Sequence, residues 1–206
     1  MTNNTTFNTV AKPLLQAAFL VAALVPPLAA HAHISLEQTQ VPAGADARLV
    51  LRVGHGCQGS ATHTLTVRIP PGLRGAKPMP KPGWTLAVRR APLAEPYQSH
   101  GRKVVDDVVA ITWKANSRDA WLADAHYDEF VLRAQAPATP GALWLQVQQQ
   151  CEQGQTDWAD VPDSGTSTRG MKTPAVLLDV VPLAPPSPPS PPALSPASPA
   201  PTGHQH

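Results

Sequence analysis

The groups able to do chemistry in this sequence are histidines and cysteines. His31 and His33 stand in the run Ala30-His31-Ala32-His33, Cys57 and Cys151 lie far apart, and His204 and His206 end the chain. A histidine that begins a chain is a chelator, because its α-amine and its imidazole Nδ1 can close one ring on a metal ion. Both are borderline nitrogen donors, and copper(II) heads the divalent affinity series for such ligands. A free α-amine has a pKa of about 7.7 to 8.0, so near neutrality the metal need displace at most one easily lost proton. This chemistry requires that His33 become a first residue.

The preceding residues predict that it does. Lys12 supplies a positive charge, and Leu14 to Leu28 is apolar apart from Gln16, Pro26 and Pro27, the pattern of a signal peptide. The stretch is too short and too broken by proline for a transmembrane helix. Small residues are wanted three and one before the cut, and Ala30 and Ala32 supply them; a cut after Ala30 would put Leu28 at the earlier position, a poorer fit. Residues 1–32 are thus expected to be removed, leaving an exported, periplasmic protein with no membrane span.

Export decides how the cysteines are read. Disulfides persist in oxidising compartments, so Cys57 and Cys151 are expected to bond. The alternative, a thiolate copper ligand, has no C-x-x-C spacing behind it. His204 and His206 end a tail rich in proline and could capture metal weakly or be incidental. His55, His63, His100 and His126 are isolated, with no His-x-His or His-x-x-x-His spacing among them, and are read as surface or satisfied groups rather than ligands.

Other chemistries lack their signatures. A net charge of +2 and the absence of a Lys/Arg cluster interleaved with aromatics argue against nucleic acid as a partner. No Ser-His-Asp set, phosphate loop or carboxylate cluster points to hydrolysis or phosphoryl transfer, and the protein is not expected to be an enzyme.

Between the two ends lie about 150 residues, a common size for one domain. Hydrophobic residues make up 42% of the chain and charged residues 15%, enough apolar surface for a core. Short alternating or β-branched runs separated by turn residues predict strands at Ile34 to Thr39, Ala47 to Val53, Thr62 to Ile69, Trp84 to Arg90, Val104 to Trp113, Tyr127 to Ala134, Ala142 to Gln149 and Pro174 to Val181, the pattern of an antiparallel sandwich. In the third run Leu65, Val67 and Ile69 share one face, as a half-buried strand requires. Pro70-Pro71-Gly72, Pro80-Lys81-Pro82-Gly83 and Gly154 mark turns. The domain is expected to cover residues 33–182, with residues 183–206 a Pro/Ser/Ala-rich disordered tail.

Several motifs carry a resemblance over this domain: Ala32-His33-Ile34, Gly54-His55-Gly56-Cys57-Gln58-Gly59-Ser60, Pro78-Met79-Pro80-Lys81-Pro82-Gly83-Trp84, Ile111-Thr112-Trp113, Tyr127-Asp128-Glu129-Phe130, Gln150-Cys151-Glu152-Gln153-Gly154 with Trp158, and Thr173-Pro174-Ala175. Together they resemble the YcnI-like family of exported copper-binding domains. The resemblance implies an all-β, immunoglobulin-like or cupredoxin-like sandwich that binds copper(II) through a single-histidine brace with a carboxylate, close to a tryptophan.

Carried over, the histidine is His33, the carboxylate is Glu129, with Asp128 and Glu152 as alternatives, and the tryptophan is Trp158. Strand alternation places Glu129 with Tyr127 and Val131, opposite a core face of Phe130, Leu132 and Ala134. The implied function is copper storage, buffering or delivery, with periplasmic copper chaperones or transporters as partners. The competing readings are a copper oxidase or monooxygenase, which would want a second histidine that the resemblance does not supply, and a metal-independent surface interaction module.

Overall fold

The computed structural model describes residues 33–183 together with the first two residues. The expected signal segment and the tail beyond residue 183 lie outside the described residues. Eleven strands follow in order: β1 Ser35–Leu36, β2 Gln40–Pro42, β3 Asp46–Val53, β4 Thr62–Arg68, β5 Arg74–Pro78, β6 Trp84–Ser99, β7 Arg102–Ala115, β8 Asp128–Gln135, β9 Gly141–Cys151, β10 Gln155–Trp158 and β11 Val176–Val181. A short 3-10 turn at Arg118–Ala120 interrupts them. Among the described residues no helix is long and apolar enough to cross a membrane.

The strands form two sheets. The smaller runs β1-β3-β8-β5, and the larger runs β2-β11-β9-β4-β7-β6 with β10 also paired to β9. The core lies where their apolar faces meet: Leu49, Leu51, Phe130 and Leu132 from one sheet, Leu65, Val67, Ile111, Trp113, Leu145 and Leu178 from the other, each no more than 1% exposed. Trp84 and Trp113 set their rings edge-on to Phe130 at 5.1 and 5.7 Å, a favourable arrangement for opposed aromatic quadrupoles.

The expected alternation holds for Phe130, Leu132 and Ala134, which are all buried. Val131, on the other face, is buried as well. It stands directly across from Val50, and the two apolar side chains form a small second layer bordered by Arg48 and Arg133.

Among the described strands the pairing is antiparallel except that β2 runs parallel to β11. The cause is the crossing of the first strand between sheets. Glu37 N donates to Val50 O at 3.0 Å on the smaller sheet, and Thr39 O accepts from Asp179 N at 2.7 Å on the larger. Of the predicted strand Ile34 to Thr39 only Ser35 and Leu36 are therefore strand, as β1, and β2 begins just beyond it at Gln40. This crossing staples the residues after His33 to both sheets.

The outer half of the β6–β7 hairpin reaches beyond the large sheet and is fastened by Asp107. Its Oδ2 accepts from Tyr97 Oη at 2.7 Å and from Gly75 N at 2.8 Å, and its Oδ1 accepts from Val108 N at 2.7 Å. Burial alone would raise the Asp107 carboxyl, but these donors outweigh it and hold the pKa below its ordinary value. Burial, with help from the Asp107 bond, pushes the Tyr97 phenol up to about 12. A depressed folded-state pKa means that the contribution of Asp107 is complete above the unfolded carboxyl pKa of about 3.9 and is lost as pH falls through the folded value. Asp107→Asn is expected to cost about 2 kcal/mol at pH 7, the scale of hydrogen bonds to a charged acceptor, and to flatten the acid limb of a stability-against-pH curve measured by urea unfolding.

Candidate metal centre

His33 precedes β1, whose Ser35 and Leu36 pair with Arg52 and Leu51. Ile34 and Leu36 are both 5% exposed, so apolar burial on either side of Ser35 fixes the start of the strand. The His33 imidazole, half-buried, lies edge-to-face with Trp158 at a centroid distance of 5.7 Å and an interplanar angle of 67°. The structure thus joins two of the predicted site residues, which are 125 positions apart in the chain.

Trp158 ends β10, where it pairs with Val147 of β9. Its polar surroundings in the sequence suggest a surface aromatic, but it is only 4% exposed and belongs to the core. The explanation is Gln149. This fully buried amide accepts from Trp158 Nε1 at 3.0 Å and donates through Nε2 to His55 O and to Thr62 Oγ1, both at 2.7 Å. A buried indole N–H needs an acceptor, and the polar side chain that meets this need is itself satisfied at both ends.

Cys57 and Cys151 are bonded, with Cα atoms 5.8 Å apart. The bridge joins the loop before β4 to the end of β9, next to Gln149. Gly154, at φ 76°, turns β9 into β10, and Cys151 N donates to Gly154 O at 3.1 Å. That turn brings Trp158 back along β9.

Glu129 lies on β8 directly across from Arg52 of β3, which in turn faces Ser35 of β1. Ser35, Arg52 and Glu129 therefore form one row, spaced by about 4.8 Å per strand. Glu129 Oε1 lies 3.6 Å from Arg52 Nε and accepts a short hydrogen bond from Tyr127 Oη. That bond raises the Tyr127 pKa. Arg52 is shared with Glu37, whose Oε1 is 2.8 Å from Nη2.

The alternative carboxylates have other partners. Asp128 accepts from Lys81 Nζ at 2.6 Å and from the backbone N–H of Glu129 at 2.8 Å. Glu152 pairs with Arg118. Among the described residues no three His, Cys, Asp or Glu side chains converge as a metal cluster; a brace of one amine, one imidazole and one carboxylate does not depend on such a trio.

His55, read from the sequence as a surface or satisfied group, is half-buried beside the same indole. Its ring also lies edge-to-face with Trp158, at 6.1 Å and 71°. The available signal was its place in Gly54-His55-Gly56-Cys57, beside a cysteine expected to be bonded to the stretch that leads into Trp158.

A family model described as a domain of unknown function, DUF1775, matches residues 33–180. A comparison with curated proteins finds no match. Among solved structures, the chain is similar to an uncharacterized protein from Nocardia farcinica whose crystal structure reveals an immunoglobulin-like fold. The two are 21% identical, and the match covers 72% of this chain and 97% of that one with a TM-score of 0.55. This likeness establishes the fold alone: an all-β, immunoglobulin-like sandwich.

Proposed function

The chain belongs to the DUF1775 family, the family to which the YcnI-like resemblance pointed, and from that premise we propose that it is an exported copper(II)-binding protein that stores, buffers or delivers the ion in the periplasm. The observation that carries this reading is the placement of His33, which follows an export-type Ala-His-Ala and rests its imidazole on Trp158 at 5.7 Å.

The donors fit the ion. An imidazole and, after cleavage, an α-amine supply nitrogen, Glu129 supplies an anionic oxygen, and copper(II) favours such N,O sets. Arg52 and Tyr127 hold the Glu129 carboxylate in place from outside, in the way that partners of a ligand orient it. Trp158 walls the site, its N–H already given to Gln149. The protein's part is to hold and release copper, and the recipients would be periplasmic copper chaperones or transporters.

Exchange of the carboxylate tests the assignment. Glu129→Gln removes an anionic ligand and almost no volume, so copper(II) affinity should fall about tenfold or more while the circular dichroism spectrum and unfolding midpoint stay put. Asp128→Asn and Glu152→Gln should leave the affinity unchanged. The reverse outcome, read by competition against a chelator of known strength, would move the carboxylate role to one of those residues.

One observation favours keeping the copper oxygenase as a second reading. That chemistry wants two histidines, and His55 provides a second at the same indole. Oxidation of a polysaccharide by the copper-loaded protein with ascorbate would establish it; its absence, with copper firmly bound, leaves storage or delivery.

A further inference from the structure

On the outer face of the smaller sheet the pairing sets three cations in one row. Arg133 of β8 stands directly across from Arg48 of β3 on one side and from Lys77 of β5 on the other, at a strand spacing of about 4.8 Å. Like charges at directly opposed positions repel. Two acids relieve part of this: Asp46 Oδ1 lies 3.2 Å from Arg133 Nη2, and Glu37 Oε2 lies 3.6 Å from Arg48 Nη1. Lys77 takes part in no ion pair among the described residues. The next row is apolar. Val50 stands across from Val131, and Met79, whose N–H donates to Val131 O at 2.8 Å, extends the row with half of its surface exposed.

Two cavities adjoin these rows and share Asp46, Lys77 and Arg133 as walls. The one on the apolar side, of about 470 Å³, is closed by Pro78, Met79 and Val131. The one on the polar side, of about 490 Å³, is closed by Arg74, Tyr97 and His100. Each has the size of a small-molecule site, about 300 to 1,000 Å³. The Arg74 guanidinium lies over the Tyr97 ring, 4.6 Å from its centroid, and the Tyr97 hydroxyl is given to Asp107 at 2.7 Å, so the polar cavity is walled by held groups. Asp107 is buried with its oxygens taken by Tyr97, Gly75 and Val108. Among the described residues Asp46 is then the one carboxylate lining either cavity, against the four cations Arg48, Arg74, Lys77 and Arg133.

We infer that this face binds an anionic lipid, an acyl chain ending in a negatively charged head group, with the head group among Arg74, Lys77 and Arg133 and the first carbons of the chain over Val131 and Met79. Charge complementarity selects the head: an anion over the cationic row relieves its repulsion and accepts charge-assisted hydrogen bonds from Arg and Lys. The adjoining apolar cavity selects the chain, since a bare anion would leave it unused and a neutral chain would leave the cations unpaired. The inference is independent of the copper reading.

The test is isothermal titration of the secreted protein with three probes: dodecyl phosphate kept below its micelle concentration, inorganic phosphate as the head alone, and dodecyl maltoside as a chain with a neutral head. Dodecyl phosphate should bind one-to-one and about tenfold or more tighter than either control. Lys77→Gln combined with Arg133→Gln should weaken it by about tenfold or more, the scale of losing hydrogen bonds to a charged group. Met79→Ser should weaken it as well, with no change of charge, and Asp46→Asn should tighten it by removing the opposing carboxylate. Circular dichroism checks the fold of each variant, and if the double variant does not fold, the two single variants decide. Inorganic phosphate bound as tightly as dodecyl phosphate would overturn the inference in favour of a free-anion site. Equal binding of the maltoside would reduce the face to an apolar groove. Absence of one-to-one binding of dodecyl phosphate, or affinity unmoved in the folded variants, would overturn it outright.

Discussion

Replacement of Cys57 and Cys151 by serine should destabilise the domain by about 4 to 5 kcal/mol. The two cysteines are 94 residues apart, and chain-entropy arguments assign a loop of that size about 4.7 kcal/mol through restriction of the unfolded chain. For a domain of this size that corresponds to a fall in Tm of roughly 10 to 20 °C. Guanidinium unfolding of the double variant measures it, and a loss below about 1 kcal/mol would mean that the unfolded chain gains little freedom when the bridge is gone. A local effect should accompany the global one. Cys57 N donates to Cys151 Sγ at 2.9 Å, and Gln149 sits two residues before Cys151. The loop bearing His55 is thus anchored by the bond, whereas His33 is held separately through β1 and β3. At temperatures where the double variant is still folded, the amides of the His55 loop should exchange faster while those of β1 keep their protection.

Much of the fold was legible because its strands alternate. Leu65, Val67 and Ile69 announced a buried face, and Phe130, Leu132 and Ala134 another, and all six are buried. β5 and β10 left no such trace. Arg74-Gly75-Ala76-Lys77-Pro78 is short and contains glycine and proline, and Gln155-Thr156-Asp157-Trp158 is polar, so each is a strand only because a neighbour offers it a ladder: β8 for the first, β9 for the second. The outer half of β6 was hidden for a related reason. Pro92 and Pro96 break the local pattern, and the strand survives through register shifts against β7.

Within the candidate site, His33 was legible from the residues before it, and Trp158 from the motif it shares with Cys151. The burial of Trp158 was not, because it depends on Gln149, a residue that reads as one more polar position in Gln148-Gln149-Gln150. The approach of His55 to Trp158 was not legible either, because spacing rules detect only groups that are near in sequence. Here the disulfide and a buried amide bring to one indole two histidines that lie 22 positions apart on different segments.

The largest functional effect should come from the nitrogen of residue 33 itself. In the uncut chain this atom is the amide of the Ala32-His33 bond, with no basic lone pair to offer as a neutral donor; after the cut it is an amine with a pKa of about 7.7 to 8.0. On the proposed copper reading, one covalent change would therefore add a ligand and complete a chelate ring. His33→Ala should behave like a blocked terminus, since it keeps the amine and loses the imidazole. Affinity in every form should decline as pH drops below the pKa of the nitrogen donors, because protons then compete with the metal. The direct measurement is a competitive copper(II) titration at pH 7.4 of two proteins: one secreted and beginning at His33, and the other identical but preceded by a single methionine. The account predicts strong one-to-one binding by the first and binding weaker by about 100-fold or more by the second, whereas equal affinity for the free and the blocked terminus would contradict it.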